Sequence, residues 1–228
     1  MPFIALKLRD NAVLGCEFIR ISAIEIAAPK VLSLMVIEVP LSKGDFMAAI
    51  DYDSFQYYTY DQYMTWDDSW ELIDGVPYAM SPAPYPLHQK VLFNISKELD
   101  NNLECSNDVC EVYISPVDWK IDETTVVQPD IALFCEETEK QFFSKTPPLV
   151  VEVLSKATAL KDVTTKKELY ERTGVLYYVI VEPNTEIADV YTLTDGNYLH
   201  LGKYTKNDTM TFDIDNDCTT SIDLLKVF

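Results

Sequence analysis

The chain of 228 residues is long enough for one large domain or two small ones, and its 48% hydrophobic content excludes an intrinsically disordered protein. Its 18 basic and 37 acidic residues give a formal net charge of −19. This charge disfavours tight, non-specific binding of a polyanion, unless cations collect in a groove or metal ions offset the repulsion. The apolar run at 31–37 is far shorter than the ~20 residues of a membrane span, so no membrane partner is expected.

The cysteines, at positions 16, 105, 110, 135 and 218, include no CxxC pair, and the chain has two histidines. A structural zinc site is therefore not expected. The odd number of cysteines and the lack of a secretion signal favour a reducing, cytoplasmic location.

Residues 1–46 differ from the rest because they lack turn punctuation and the aromatic clustering that follows. The sequence from Lys43 to Phe46 is what a purine-rich ribosome-binding site would encode if it were translated in frame before a start codon at Met47. Two interpretations stay open: the native protein begins at Met47, or residues 1–46 form an ordinary N-terminal extension. Residues 47–228 are expected to form a single domain.

The next elements in chain order are a short helix, a hairpin and a long helix. Thr59 is placed to cap the short helix, and the turn at Asp74 and Gly75 predicts a hairpin. The proline-rich loop at 81–86 cannot be helical. The apolar periodicity then predicts a helix from His88 to about Leu103 whose buried face carries Val91, Leu92, Ile95 and Leu99.

The middle of the chain is predicted to be rich in strands. Apolar runs indicate strands at 111–114, 117–121, 126–134, 149–154 and 176–181, the third of them interrupted at Pro129 and Asp130. A helix is predicted from Asp162 to Thr173, with Gly174 ending it. A closing hairpin follows at 188–193 and 198–204. The acidic tail from 207 is expected to dock through Ile222, Leu224, Leu225 and Phe228.

Two carboxylates lie inside apolar strands. Glu152 is flanked by Val151 and Val153, and a buried carboxylate must become protonated or find a cation. Asp130 follows Pro129, which has no N–H to donate, so the strand is expected to fray beside it. Either acid alone is more simply explained as a satisfied structural residue. Together, on neighbouring strands, they favour a Mg²⁺ site.

Helical phasing separates two adjacent lysines. At 100° per residue, Lys166 falls within the apolar arc of Val163, Leu169 and Tyr170, whereas Lys167 falls outside it. An inward Lys166 would reach a scissile phosphate or a bound water; the alternative is an ordinary snorkelling lysine. Glu71, before the hairpin turn, is a further candidate for the same cleft. His88, at a helix N-terminus, is another, with a plain polar cap as its alternative.

These residues, taken in order, resemble a known nuclease family. The ordered set comprises Glu71 to Gly75, Met80-Ser81-Pro82, His88, Pro129-Asp130, Pro148 to Ser155, Asp162, Lys166, Tyr170, and Gly174-Val175. It is similar to the Uma family of restriction endonucleases in the PD-(D/E)XK nuclease superfamily. The resemblance implies a restriction-endonuclease-like α/β fold, with a central mixed sheet flanked by helices. It also implies Asp130 and Glu152 as ligands for Mg²⁺ or Mn²⁺, and DNA as substrate.

The sequence departs from the superfamily pattern at one position of the site. Leu154 stands where the superfamily usually has a lysine two residues after the acid, and Lys166 would supply that charge from the helix. The chain is therefore interpreted as a metal-dependent endodeoxyribonuclease with Asp130, Glu152, Lys166, Glu71 and His88 as candidate catalytic residues. The alternative is a catalytically silent, acidic protein-interaction module that keeps the nuclease fold. The oligomeric state, a homodimer included, stays open.

Overall fold

The computed structural model describes residues 56–67, 69–80, 85–106, 110–135, 140–155, 159–214 and 218–228. The expectations for residues 1–46, including a start at Met47, lie outside this part of the chain. The described strands are β1 Trp70–Ile73, β2 Val76–Ala79, β3 Glu104–Cys105, β4 Glu111–Ile114, β5 Asp118–Asp122, β6 Thr125–Val127, β7 Ile131–Phe134, β8 Phe142–Phe143, β9 Leu149–Val153, β10 Tyr177–Glu182, β11 Ile187–Thr194, β12 Asn197–Thr205, β13 Thr209–Ile214 and β14 Cys218–Asp223. The α-helices are α1 Tyr60–Tyr63, α2 Pro86–Asn101, α3 Ala159–Lys161 and α4 Lys167–Thr173.

A six-stranded sheet in the order β12-β11-β10-β9-β7-β4 carries most of the fold. Its β9 and β10 are parallel, while its other described neighbours are antiparallel, so the sheet is mixed as predicted. A second sheet has the order β2-β1-β6-β5-β8 and a third has the order β13-β14-β3. Among the described residues, no helix is long and apolar enough to cross a bilayer.

Alternation along β9 divides the core between the two faces of the six-stranded sheet, because successive strand residues point to opposite sides. Leu149, Val151 and Val153 join the apolar cluster that includes the buried face of α2. Val150 belongs instead to the cluster that contains Leu169 of α4. By the same alternation of side chains along β9, Glu152 points to the side of the sheet on which α4 packs.

The apolar run at 126–134 forms two strands in two different sheets. Pro129 has no amide hydrogen to donate, and the run separates there, as predicted. β6 pairs with β1 in the five-stranded sheet, whereas β7 pairs with β4 and β9 in the six-stranded sheet. Asp130 therefore lies at the junction of the two sheets.

The helix predicted from Asp162 to Thr173 is interrupted by a π-helical segment, Asp162–Lys166, which lies between α3 and α4. A π turn bonds i to i+5 and shifts the phase of the residues before it. The prediction that Val163 faces inward is wrong, since this residue is 41% exposed. Lys166 faces inward as predicted and is 4% exposed. Gly174 ends α4 with a left-handed φ of 88°, also as predicted.

The acidic tail forms structure that the sequence analysis did not predict. β13 and β14 pair antiparallel, and the alternating Met210, Phe212 and Ile214 are buried. Ile222 and Leu224 are buried as expected, and Phe228 packs against the same apolar cluster. The prediction for Leu225 is wrong, since it is 64% exposed.

Helix α2 packs by the face that the sequence predicts, which leads to a simple expectation. Ile95 is fully buried, whereas Phe93 on the opposite side is 61% exposed. Ile95→Ala should lower the free energy of unfolding by about 2–5 kcal/mol, because it removes buried methylenes and leaves a cavity. Phe93→Ala should change it by about 0.5 kcal/mol or less. Urea unfolding of both variants checks the assignment, and equal losses would contradict it.

Candidate active site

Glu152 lies at the centre of a buried polar cluster on the α4 side of β9. Its Oε1 atom accepts a hydrogen bond from Lys166 Nζ at 2.8 Å and another from the Tyr170 hydroxyl at 2.8 Å. Both donors come from the helical segment after β9, and all three side chains are buried. A single carboxylate oxygen thus holds two donors, while the other, Oε2, points towards Asp130.

Asp130 forms the outer edge of the cluster, where its side chain is 21% exposed. Its backbone N–H lies 3.4 Å from Glu152 Oε2, and its own Oδ2 accepts from the backbone N–H of Val153 at 2.8 Å. His88 Nε2 lies 3.4 Å from the same Oδ2 atom. Burial lowers the pKa of His88, but the hydrogen bond to Asp130 and the charge of Asp130, together with smaller effects of Val153 and Asp162, outweigh burial and raise that pKa.

Glu71 enters the cluster from β1, in the other sheet, and is completely buried. Its Oε1 lies 3.0 Å from Lys166 Nζ and accepts from the backbone N–H of Gln128 at 2.9 Å. Its Oε2 accepts a hydrogen bond from Lys161. Lys166 therefore bridges Glu71 and Glu152, one acid from each sheet.

Burial and charge set the protonation of the cluster. Burial raises the pKa of Glu152, and neighbouring Asp130 adds to this, against the opposing effect of Lys166. Burial alone would also raise the pKa of Glu71, but Lys166 and Lys161 lower it to about 2. Burial would lower the pKa of Lys166, yet Glu152 and Glu71 raise it well above its usual value. Glu71 is thus ionised and Lys166 protonated at neutral pH.

The structure brings together all five residues that the sequence singled out, namely Glu71, His88, Asp130, Glu152 and Lys166. Their chemical roles remain predictions. Lys167 does not join them, and its Nζ lies 3.9 Å from the ring centroid of Tyr191 rather than in solvent.

Sequence reasoning missed three contributors to the cluster. Lys161 lies five residues before Lys166, and the π-helical segment between them brings both ammonium groups to Glu71. Asp162 approaches Lys166 Nζ with an O–N distance of 4.0 Å. The Tyr170 hydroxyl bonds to Glu152, although the sequence analysis treated Tyr170 as an apolar marker. A π turn leaves no recognisable sequence pattern, so Lys161 could not have been identified.

Replacing Tyr170 by phenylalanine tests whether Glu152 accepts hydrogen bonds as a carboxylate. The lost bond should cost about 1.5–3 kcal/mol of unfolding free energy if its acceptor is charged. Tyr178→Phe is the matched control, because its equally buried hydroxyl donates at 2.9 Å to the neutral backbone oxygen of Asp162. That change should cost about 0.5–1.5 kcal/mol. Equal losses, measured by urea unfolding, would mean that Glu152 is not charged.

Comparison with known proteins identifies the class to which this fold belongs. A crystal structure described as a "putative nuclease belonging to DUF820" from Anabaena variabilis superposes with a TM-score of 0.55 at 16% sequence identity. The match covers 66% of this chain and 86% of that chain. It supports the restriction-endonuclease-like α/β fold that was predicted. The comparison with curated proteins found no match.

The family itself follows from a match to a family profile. The profile of Uma2, described as "Putative restriction endonuclease", matches residues 56–214. Because the match covers well over half of the sequence, the chain belongs to the Uma2 family. The matched region contains the whole buried cluster from Glu71 to Tyr170, and it supports a nuclease function.

Proposed function

We propose that this protein is a metal-dependent endonuclease that hydrolyses phosphodiester bonds of DNA, with Asp130 and Glu152 as ligands of Mg²⁺ or Mn²⁺. Given that the chain belongs to a nuclease family, the proposal rests on one structural observation. The two acids lie opposite each other where β7 meets β9, and the Oε2 atom of Glu152 faces the half-exposed Asp130. The Asp130 carboxylate, at the partly exposed edge of the buried polar cluster, is near enough to Glu152 for its charge to raise the pKa of Glu152.

The donor atoms fit a hard divalent cation. Mg²⁺ binds oxygen ligands and keeps several waters, so one or two carboxylates with access to solvent are sufficient. Lys166 and Tyr170 engage Oε1 of Glu152, so the Oε2 side is left towards Asp130. His88 and Val153 both contact Oδ2 of Asp130. The side-chain donors of Glu152 thus contact Oε1, while Oε2 receives a longer contact, of 3.4 Å, from the backbone N–H of Asp130.

The charges in the cluster also favour a divalent cation. Four carboxylates, those of Glu71, Asp130, Glu152 and Asp162, surround two ammonium groups. When all of these groups are ionised and His88 is neutral, two negative charges remain, which one divalent cation neutralises. Local neutralisation is what a protein of net charge −19 needs if it is to accept a phosphate.

A divalent cation at Asp130 and Glu152 would activate water as a Lewis acid and offset charge at the scissile phosphate. The other proposed roles belong to residues of the chain. Lys166 fixes Glu152 and places a positive charge inside the site, where it opposes charge developing at phosphorus. Glu71 holds Lys166 from the other sheet. The further role expected of it, orienting a water or binding a second metal, would require an oxygen to be released from Gln128, Lys166 or Lys161. His88, beside Asp130 at the start of α2, is positioned to contact the phosphate.

The second candidate function is a catalytically silent interaction module. It is favoured by the net charge of −19, which suits a basic protein partner, and by Lys166, whose ammonium group pairs with two of the buried acids. The two functions differ in one respect that can be measured directly. The nuclease needs the divalent cation for turnover, whereas the interaction module does not turn over nucleic acid at all.

A cleavage panel decides between these functions. Purified full-length protein is incubated with single-stranded, duplex and branched DNA, and with RNA of matched sequence, in the presence of Mg²⁺, Mn²⁺ or a chelator. The proposal predicts DNA cleavage that both the chelator and the Asp130→Asn substitution abolish. Cleavage of RNA but not of DNA would show that the substrate is RNA rather than DNA. No cleavage of any substrate would favour the interaction module.

Sedimentation of the same sample separates a monomer from a homodimer.

A further inference from the structure

Four cysteines converge at the end of β7 that lies away from Asp130. Cys105 is bonded to Cys218, and Cys110 is bonded to Cys135. The two pairs are adjacent, since the Sγ atoms of Cys218 and Cys110 are 3.7 Å apart. The sulfurs of Cys105, Cys110 and Cys218 all lie within 4.8 Å of one another. We call these four residues the cysteine cluster.

Each pair joins neighbouring antiparallel strands. Cys105 in β3 is the direct register partner of Cys218 in β14. Cys110 precedes β4 and Cys135 follows β7, at the step beyond the register pair of Glu111 and Phe134. The cluster therefore joins the three-stranded sheet to the edge of the six-stranded sheet.

The cluster is buried enough to exclude water yet still reachable. Cys110 and Cys218 are buried, at 7% and 1% exposure, within the apolar cluster that includes α2. Cys105 and Cys135 are half-buried and pack against the same apolar residues. An ion or a small thiol would reach the sulfurs from the side of these two residues.

We propose that the cysteine cluster, when both disulfides are reduced, binds one Zn²⁺ ion through four thiolates. Tetrahedral zinc with Zn–S bonds of about 2.3 Å places its sulfurs about 3.8 Å apart. The sulfurs of Cys218 and Cys110 already have this separation, at 3.7 Å. Once their bonds are broken, the two bonded pairs must open to the same distance, and Cys135 must move towards the other three sulfurs, which already lie within 4.8 Å of one another. Four thiolates select zinc over the hard cations that carboxylates prefer.

Two equivalents of a dithiol can reduce the two disulfides of the cysteine cluster. Each disulfide accepts two electrons and two protons from one dithiol, which closes to its own disulfide, and two cysteine thiols are formed. Binding of Zn²⁺ then releases the thiol protons, because thiolates are the ligands. In the reduced protein the zinc ion would link the three-stranded sheet to the six-stranded sheet, whereas each disulfide of the oxidised protein joins strands within one sheet.

This site is independent of the carboxylate site. Asp130 precedes β7 and Cys135 follows it, so the four residues of the strand, roughly 13 Å long, separate the two centres. The spacing along the chain also explains why the sequence did not predict zinc. The bonded cysteines are 113 and 25 residues apart, and only the folded sheets bring them together.

Cobalt titration tests the proposal. The full chain is reduced with a dithiol, freed of the dithiol and of metal without oxygen, and titrated with Co²⁺ while the visible spectrum is recorded. One equivalent should give the strong bands of a tetrahedral cobalt thiolate, and one equivalent of Zn²⁺ should remove them. Zinc should also lower the number of thiols that react quickly with a disulfide reagent by four.

Three variants assign the site. Cys110→Ser should lose the cobalt thiolate bands at one equivalent. Cys16→Ser, which changes the cysteine outside the described residues, should keep them, as should Asp130→Asn in the carboxylate site. If the reduced protein unfolds, recovery of its circular dichroism on addition of one equivalent of Zn²⁺ supports the site.

Two results would overturn the proposal, and both can be read from the wild-type protein. The first is a reduced, folded chain that binds Co²⁺ without thiolate bands. The second is a reduced, unfolded chain that zinc does not restore. Neither result would bear on the proposed nuclease function, which rests on a different set of ligands.

Discussion

Replacing Lys166 by alanine is expected to lower the free energy of unfolding by about 3–5 kcal/mol, because it leaves buried acids without their shared cation. The Lys166 ammonium lies 2.8 Å from Glu152 and 3.0 Å from Glu71, and all three side chains are buried. Any metal-dependent cleavage should fall by about 100-fold or more, since one preorganised charge is lost. Urea unfolding and cleavage rates at matched ionic strength measure both effects.

Two further variants separate charge from packing at Lys166. Lys166→Met keeps most of the aliphatic stem and should be nearly as damaging as Lys166→Ala if the charge matters. Lys167→Ala removes a lysine whose ammonium lies over the Tyr191 ring, a contact worth about 0.5–1 kcal/mol, and cleavage should stay within a few-fold of wild type. Equal losses from Lys166→Ala and Lys167→Ala would mean that the two lysines act only through general charge.

Replacing Asp130 by asparagine is expected to abolish metal-dependent cleavage while preserving or raising stability in the absence of metal. Asp130 and Glu152 repel each other when both are ionised, and Asp130 raises the pKa of Glu152. An asparagine oxygen can still accept the hydrogen bond from the Val153 amide, so the fold keeps this contact. Thermal unfolding in a chelating buffer should give an unchanged or higher Tm.

The control for this variant is Asp213→Asn, which changes the net charge equally at an exposed position on β13. It should leave both cleavage and Tm close to wild type. A rise in Tm from Asp213→Asn as large as that from Asp130→Asn would show that bulk charge is responsible. Unfolding of Asp130→Asn in chelator would instead make Asp130 a structural residue.

Much of the fold and the site was predictable because the sequence carries strong local patterns. Glu152 interrupts an otherwise apolar strand, and this placed an acid in the core correctly. Pro129 indicated the break between β6 and β7, and the periodicity of α2 gave its buried face. Each of these predictions depended on neighbours within a few residues along the chain.

What was missed depends on structure that no local pattern encodes. The π-helical segment changes the helical phase, so Val163 was placed inward and Lys161 was not recognised. A phase of 100° per residue holds only for an unbroken α-helix. Likewise, Cys105 and Cys218 become neighbours only through the pairing of β3 with β14, which the sequence analysis did not anticipate.

Calorimetric titration of Mn²⁺ into metal-free protein tests the central claim, the carboxylate metal site, most directly. The protein is kept in its oxidised form, so that the cysteine cluster has no thiolates to offer. We expect saturable Mn²⁺ binding by the wild-type chain, which Asp130→Asn eliminates and Asp213→Asn retains. Absence of binding to the wild-type chain, or equal binding by wild type and Asp130→Asn, would contradict Asp130 and Glu152 as metal ligands.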